Sequence, residues 1–240
     1  MEAAYAEAYS QLAQNHWWWR ARRFAITSEL ARLHDPAREA RLIEVGCAGG
    51  ANFEALSAFG QVEGLEPNFA LLPKDPDLLG RIHSVPLDAS FQPGQLYDRV
   101  LVLDVLEHVR DRAAFLRHAG RILHPEGRII FTVPAHPSLW TQHDAINEHL
   151  LRFSRQALLD DLGSAGFRVE RARFLFHSLV FPKAIVRLKE RITRSSSPLP
   201  STPWRPANAL ATALVRTEMA LLGPLRLPFG TSLLATASLR

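Results

Sequence analysis

The 240 residues contain 47% hydrophobic and 22% charged side chains, the make-up of one α/β core with room for a small appended lid. A single cysteine, Cys47, excludes an internal disulfide framework and any four-cysteine zinc site. The net charge of +4 sits on residues 183–194, where Lys183, Arg187, Lys189, Arg191 and Arg194 stand against Glu190 alone. The rest of the chain balances, which argues against a nucleic-acid footprint spread across the body of the fold.

In chain order, Met1 to Glu7 is acidic and lacks the basic start and apolar core of a leader peptide. No run reaches the roughly 18 uncharged apolar residues of a membrane span, so a cytoplasmic location is expected. Tyr5 to Leu12 and Trp18 to Leu33 read as helices. Leu42-Ile43-Glu44-Val45 reads as a short buried strand, Ala51–Phe59 as the helix after it, and Gln61–Leu65 as a second strand stopped by Glu66-Pro67. A loop rich in Pro and Asp, Pro73 to Asp77, leads to a brief strand around Ile82–Val85. Tyr97–Leu103 has the length and apolarity of a central parallel strand. The helix Arg112–Ile122 is followed by a turn at His124-Pro125-Glu126-Gly127 and a strand at Arg128–Val133. Ser154 is the expected N-cap, and Gly166 the C′ residue, of the helix Arg155–Ala165. Phe167–Phe174 is the next strand. Two helical stretches, 177–193 and 207–222, flank a Ser/Pro/Thr-rich connection from Ser195 to Pro206, and Thr231–Leu239 closes the chain as a strand. Strands and helices alternating at this spacing predict an α/β fold with a doubly wound, mostly parallel sheet.

The sharpest local signal is Leu42 through Phe53, a strand running into the glycine turn Gly46-Cys47-Ala48-Gly49-Gly50 and then a helix. Glycines let the backbone turn and let a ligand approach without a Cβ in the way, and the helix start offers free N–H donors. A nucleotide-like cofactor fits outside the carboxyl ends of such strands. Glu66 ends the second strand 20 residues after Gly46, where an acid can accept hydrogen bonds from ribose hydroxyls.

These residues resemble the class I S-adenosylmethionine-dependent methyltransferases of the small-molecule type, over about Arg41 to Phe174. Glu44-x-Gly46-x-x-x-Gly50 is similar to the first motif of that family, and Gly64-Leu65-Glu66-Pro67 to the second. Asp88-Ala89 is similar to the pair that contacts adenine. Asp104-Val105-Leu106-Glu107-His108-Val109 resembles the fourth-strand motif, and Leu123 to Arg128 the turn before the fifth strand. Ala48 stands where the family usually has glycine; a methyl group is tolerated there if φ stays negative. The resemblance implies a Rossmann-like sheet of order 3-2-1-4-5-7-6 with the last strand antiparallel, and S-adenosyl-L-methionine as cofactor. Glu44, Gly46, Cys47, Ala48 and Gly50 would hold its methionine end, Glu66 with Pro67 the ribose, and Asp88 with Ala89 the adenine; Asp104 would stand at the cofactor's edge. A nicotinamide-dependent reductase, or a catalytically silent nucleotide-binding scaffold, would also use a glycine turn and a strand-end acid. The Glu-x-Gly turn, Pro67 after the acid and the Asp-Val-Leu-Glu-His end of the fourth strand favour the methyltransferase.

Acceptor residues are expected beyond the fourth and fifth strands, with His149, His143 and His108 as catalytic candidates. A base is needed only where the acceptor is an alcohol, phenol or amine whose proton must leave. His143 and His149 bracket Asp144 and Glu148, but their six-residue spacing fits neither an i, i+4 helical pair nor a compact loop site, so no metal is expected. His16-Trp17-Trp18-Trp19 cannot place three tryptophans on one helical face, which suggests an aromatic wall over the acceptor. Residues 175–222 combine apolar helices with the basic cluster, as an interfacial helix does. The expected organisation is an N-terminal helical lid (1–40), a cofactor-binding core (41–174), a helical lid insertion (175–230) and a final core strand (231–240). The expected partner is a small-molecule or lipid-like methyl acceptor and not a nucleic acid, with peripheral membrane contact through 175–222.

Overall fold

A computed structural model describes residues 12–193, 202–225 and 227–240. Seven strands form one sheet: β1 (Ala40–Val45), β2 (Gly60–Leu65), β3 (Ile82–His83), β4 (Tyr97–Leu103), β5 (Leu123–Pro134), β6 (Phe167–Leu175) and β7 (Ser232–Leu239). Their order is β3-β2-β1-β4-β5-β7-β6. The first five run parallel, and β7 lies antiparallel between β5 and β6. This is the Rossmann-like order implied by the motifs.

Alternation along the central strands builds two cores. Ile43, Val100, Val102, Ile129 and Phe131 face one way, against Leu116 and Ile122 of α4 (Arg112–Ile122) and Leu158 and Leu162 of α6 (Arg155–Ser164). Leu42, Leu101, Leu103 and Ile130 face the other way, against Ile26 and Leu30 of α1 (Trp17–Leu33) and Phe53 and Leu56 of the one-turn α2 (Phe53–Leu56). With both faces covered, β1 and β4 read as continuous apolar runs, and that made them legible.

Several expectations need correcting. The N-terminal segment is more than a lid: α1 forms one of the two helical layers, while Ala13, Gln14, Trp19 and Arg22 border the turn after β1. Ala21, Ala25, Ile26 and Leu30 are buried, and so are Arg22 and Glu29. Glu29 accepts from Arg32 (2.6 Å), from Thr236 Oγ1 on β7 (2.8 Å) and from Arg171 on β6 (3.3 Å), which fastens the helix to the far edge of the sheet. The expected helix at Ala51–Phe59 is only α2 followed by a 3₁₀ turn (Ser57–Phe59), since the glycine turn runs on to Asn52. The expected loop at Pro73–Asp77 ends in a one-turn helix, α3 (Pro76–Leu79), capped by the Asp75 carboxylate. The His124–Gly127 turn is a bulge within β5. Tyr97 pairs with Leu123 and Arg99 with Arg128, so the four intervening residues loop out. The expected strand at Ile82–Val85 stops at His83. The stretch Tyr5 to Leu12 falls almost wholly outside the described residues, as does much of the Ser195–Pro206 connection.

Two more helices follow β6. They are α7 (Val180–Thr193) and α8 (Arg205–Leu222). The latter packs Val215 and Met219 against Ala21 and Ala25 of α1. Asn208 accepts from Trp17 N–H and donates to Asn15 C=O, both at 2.7 Å, tying α8 to the start of α1.

Candidate active site

The carboxyl edge of β1 and β2 carries the glycine turn. Gly46 and Cys47 donate their N–H groups to Leu65 C=O (2.7 and 3.1 Å), so the turn hangs from the end of β2. Gly46 and Gly50 have φ near +70°, and a Cβ at Gly46 would lie 2.7 Å from Val105 Cγ2, so only glycine fits there. Ala48 has φ +48°, not the negative value that would make its methyl group easy to place. Its N–H donates to Glu66 (2.9 Å), and the other Glu66 oxygen accepts from Asn68 N–H (2.8 Å). Each Glu66 oxygen keeps a free lone pair, enough to accept from two vicinal hydroxyls. Burial pushes the Glu66 carboxyl above its ordinary value, with those two N–H groups opposing.

Glu44 is buried beneath the turn. One oxygen accepts from Asn52 Nδ2 (2.6 Å) and the other has no hydrogen-bond partner. Burial raises its pKa to about 7, against the pull of Asn52, Arg22 and Arg23. Burial, then the charges of Glu44 and Glu66, push the Cys47 thiol far up, so it is an inert wall. Glu44, Gly46, Cys47, Ala48, Gly49 and Asn52 line one side of a cavity that Ala13, Gln14, Trp19 and Arg22 cover. At about 50 Å³ it has room for a water or two. A larger ligand therefore requires the covering residues to withdraw. An orphaned buried carboxylate oxygen, a glycine turn and a strand-end acid in one place fit an adenosyl amino acid.

Arg22 joins this cavity to the end of β4. It donates to Leu103 C=O (2.8 Å) and pairs with Asp104 (2.8 Å), whose φ is +55°. Beyond it lie Glu107, His108 and His149. Glu107 is fully buried with neither oxygen hydrogen-bonded, and burial, then the Asp104 charge, hold it well above the ordinary carboxyl value. The His108 and His149 rings meet edge to face at 4.9 Å, and burial lowers the His108 pKa. The ligand atoms of Glu107, His108 and His149 lie within 4.8 Å of one another, so this trio could hold a cation. It differs from the His143/His149 grouping weighed from the sequence.

The centre of the acceptor side is Asp144. One oxygen takes His149 Nδ1 (3.1 Å) and Arg152 Nε (2.8 Å); the other takes Thr141 N–H (2.8 Å) and lies 3.6 Å from Lys183 Nζ. Burial alone would raise this carboxyl, but His149, Arg152 and Lys183 outweigh it and hold it well below the usual range. Burial lowers Lys183 to about 8 and His143 to about 4. His143 turns to Asn147 and stands apart from the Glu107–His108–His149 trio. Arg152 also donates to Ala135 C=O (2.8 Å), so it pins the loop 141–153, while Ser154 caps α6.

The structure thus gathers Glu44, Gly46, Cys47 and Ala48 around one cavity, with Gly50 turning the chain and Glu66 bonded to the back of the turn through Ala48 N–H. Asp88, Ala89 and Pro67 do not line that cavity: all three are exposed, Pro67 directly after Glu66, and Asp88 accepts from Ser90. Sequence reasoning gave Arg22, Asn52 and Lys183 no place in the site and named Asp144 only as a neighbour of His143 and His149. Only Asp144 carried a local signal, the capping box Thr141-x-x-Asp144 of α5 (Gln142–Ile146).

A doubly wound sheet with a Glu-x-Gly turn after its first strand and an acid at the end of its second is the architecture of a nucleotide-cofactor-binding protein. A family model described as "Methyltransferase domain" matches residues 18–172, well over half of the sequence. The chain belongs to this methyltransferase family, of the S-adenosylmethionine-dependent class I type. A ubiquinone biosynthesis O-methyltransferase from Azorhizobium caulinodans is 33% identical over 107 residues, 42% of this chain and 42% of that protein. One from Yersinia pestis is 27% identical over 128 residues, 48% and 51%. The chain thus spans about half the length of these relatives. Among solved structures, magnesium protoporphyrin IX methyltransferase from Synechocystis shares the fold at a TM-score of 0.55 and 15% identity, covering 92% of this chain and 83% of that one.

Proposed function

We propose that the protein moves a methyl group from S-adenosylmethionine to a hydroxyl of a small or lipid-like acceptor, with His149 as the base. The observation that carries this reading is the Asp144–His149 pair. Asp144 accepts at Nδ1, so Nε2 of His149 is the nitrogen left without a proton, and it lies 4.0 Å from Glu107 Oε1 beside His108, at the end of β4. That is the arrangement a base needs to take an acceptor proton. S-adenosylmethionine, held by the glycine turn, Glu44 and Glu66, would supply an electrophilic methyl group to the acceptor oxygen and leave as S-adenosylhomocysteine, and His149 Nε2 would take the hydroxyl proton. Alignment is the protein's main contribution, through the glycine turn, Glu44 and Glu66 on one side and the loop 141–153 on the other. The O-methyltransferase relatives support the same choice of acceptor atom.

Titration calorimetry with S-adenosylmethionine, S-adenosylhomocysteine and NAD(H) tests the cofactor. Heat from the first two and none from the third is expected, and Glu66→Ala should weaken S-adenosylhomocysteine by about 1.5–3 kcal/mol. Binding of NAD(H) instead would establish the reductase. Methyl transfer from labelled cofactor to a panel of phenols tests the base. His149→Ala should lower kcat and leave cofactor affinity nearly intact, whereas equal loss of both would assign His149 to the fold.

A further inference from the structure

Helix α7 carries its polarity inside out. Lys183, Arg187 and Glu190, spaced one turn apart, face the protein. Lys183 lies 3.6 Å from Asp144, Arg187 donates to Trp140 C=O (3.0 Å), and Glu190 accepts from Gln142 N–H (3.0 Å). Phe181, Ile185, Leu188 and Ile192 form the opposite seam at i, i+4, i+7 and i+11, and they are 68%, 67%, 58% and 72% exposed. No residue of α7 is buried. A surface helix of a globular protein normally turns such a stripe toward the core. Here hydrogen bonds and an ion pair to the loop 136–150 hold it outward. On α8, Asn208, Thr212, Val215 and Met219 face inward while Leu210, Leu214 and Leu221 stay exposed. Both helices follow β6, and α7 lies against the loop 141–153 that carries His149.

We propose that the exposed face of α7, with its flanking cations, docks on an anionic lipid surface. The charge selects this occupant. Lys189 and Arg191 are exposed beside Leu188 and Ile192, and Glu190, the acid between them, is turned inward to Gln142. A second copy of the chain would bring the same cations against one another. An anionic bilayer offers opposite charge to the cations and an apolar interior to the seam. The proposal also explains why Lys183 and Arg187 are spared for the protein: they hold the helix in the orientation that shows its apolar side.

The full-length protein is sedimented at low salt with vesicles of phosphatidylcholine mixed with phosphatidylglycerol, and with vesicles of phosphatidylcholine alone. Co-sedimentation with the mixed vesicles, lost as salt is raised and weak with phosphatidylcholine, is expected. Lys189→Glu/Arg191→Glu should cut binding at least tenfold, and so should Ile185→Ser/Ile192→Ser, each with S-adenosylhomocysteine affinity unchanged as the check on folding. The proposal is overturned if the wild type stays in the supernatant with mixed vesicles. Equal binding to both vesicle types would overturn it too, as would unchanged binding by either double variant. Sedimentation equilibrium without lipid adds a last arm: a dimer abolished by Ile185→Ser/Ile192→Ser would make the seam a self-association surface and likewise overturn it.

Discussion

Ala48 holds a left-handed backbone conformation at the tip of the cofactor turn, where a Cβ is strained by about 1–2 kcal/mol. Its N–H is needed by Glu66, and that contact fixes the conformation. Ala48→Gly should therefore stabilise the protein by up to about 1 kcal/mol despite the entropy glycine adds to the unfolded chain. Urea unfolding reads this directly, and a less stable variant would show that the turn bears no strain. Beneath it, Glu44 ionises near pH 7 in the folded chain and near 4.5 in the unfolded one. Between those values the native state holds a proton that the unfolded state has lost, so stability falls as pH rises through that window. The drop is up to about 3 kcal/mol, and Glu44→Gln should remove it. Equal pH slopes for wild type and variant would mean that Glu44 is already ionised in the folded protein.

Asp144 joins three elements: it caps α5, orients His149 and Arg152 in the loop before α6, and receives Lys183 from α7. Removing it leaves Arg152 buried without its ion partner. Breaking a buried pair from one side costs about 3–5 kcal/mol, so Asp144→Ala should lower Tm markedly. Replacing the exposed Asp88 by Ala, a residue hydrogen-bonded only within its own turn, is the control and should leave Tm nearly unchanged. If both variants melt together, the hub is not holding these elements. The same hub explains why the basic cluster of 183–194 divides. Lys183 and Arg187 are drawn inward to Asp144 and Trp140, while Lys189 and Arg191 remain outside.

At the scale of the molecule, α1 is a structural layer. It covers Leu42, Leu101 and Ile130 and anchors itself through Arg22 to β4 and through Glu29 to β6 and β7. A chain starting at Asp35 would bare that face of the sheet. It should lose its cooperative thermal transition, followed by circular dichroism; a transition as sharp as that of the full chain would make the helix a removable lid after all. The buried face of α1 includes Arg22 and Glu29, so its apolar periodicity is blurred and its role in the core could not be read along the chain.

The sequence by itself determined the sheet and its cofactor turn. Strand runs such as Tyr97–Leu103 are apolar because both faces are covered, and the Gly46–Gly50 turn and the acid at Glu66 are encoded within a few residues of each strand end. Those signals are local, so they survive being read in one dimension. Only the tertiary structure decided which polar residues meet. Glu29 reaches Thr236 across 207 positions and Arg22 reaches Leu103 across 81. Lys183 turns inward to Asp144 because a buried carboxylate needs a cation, and that demand exists only once α7 has packed against the loop that carries it.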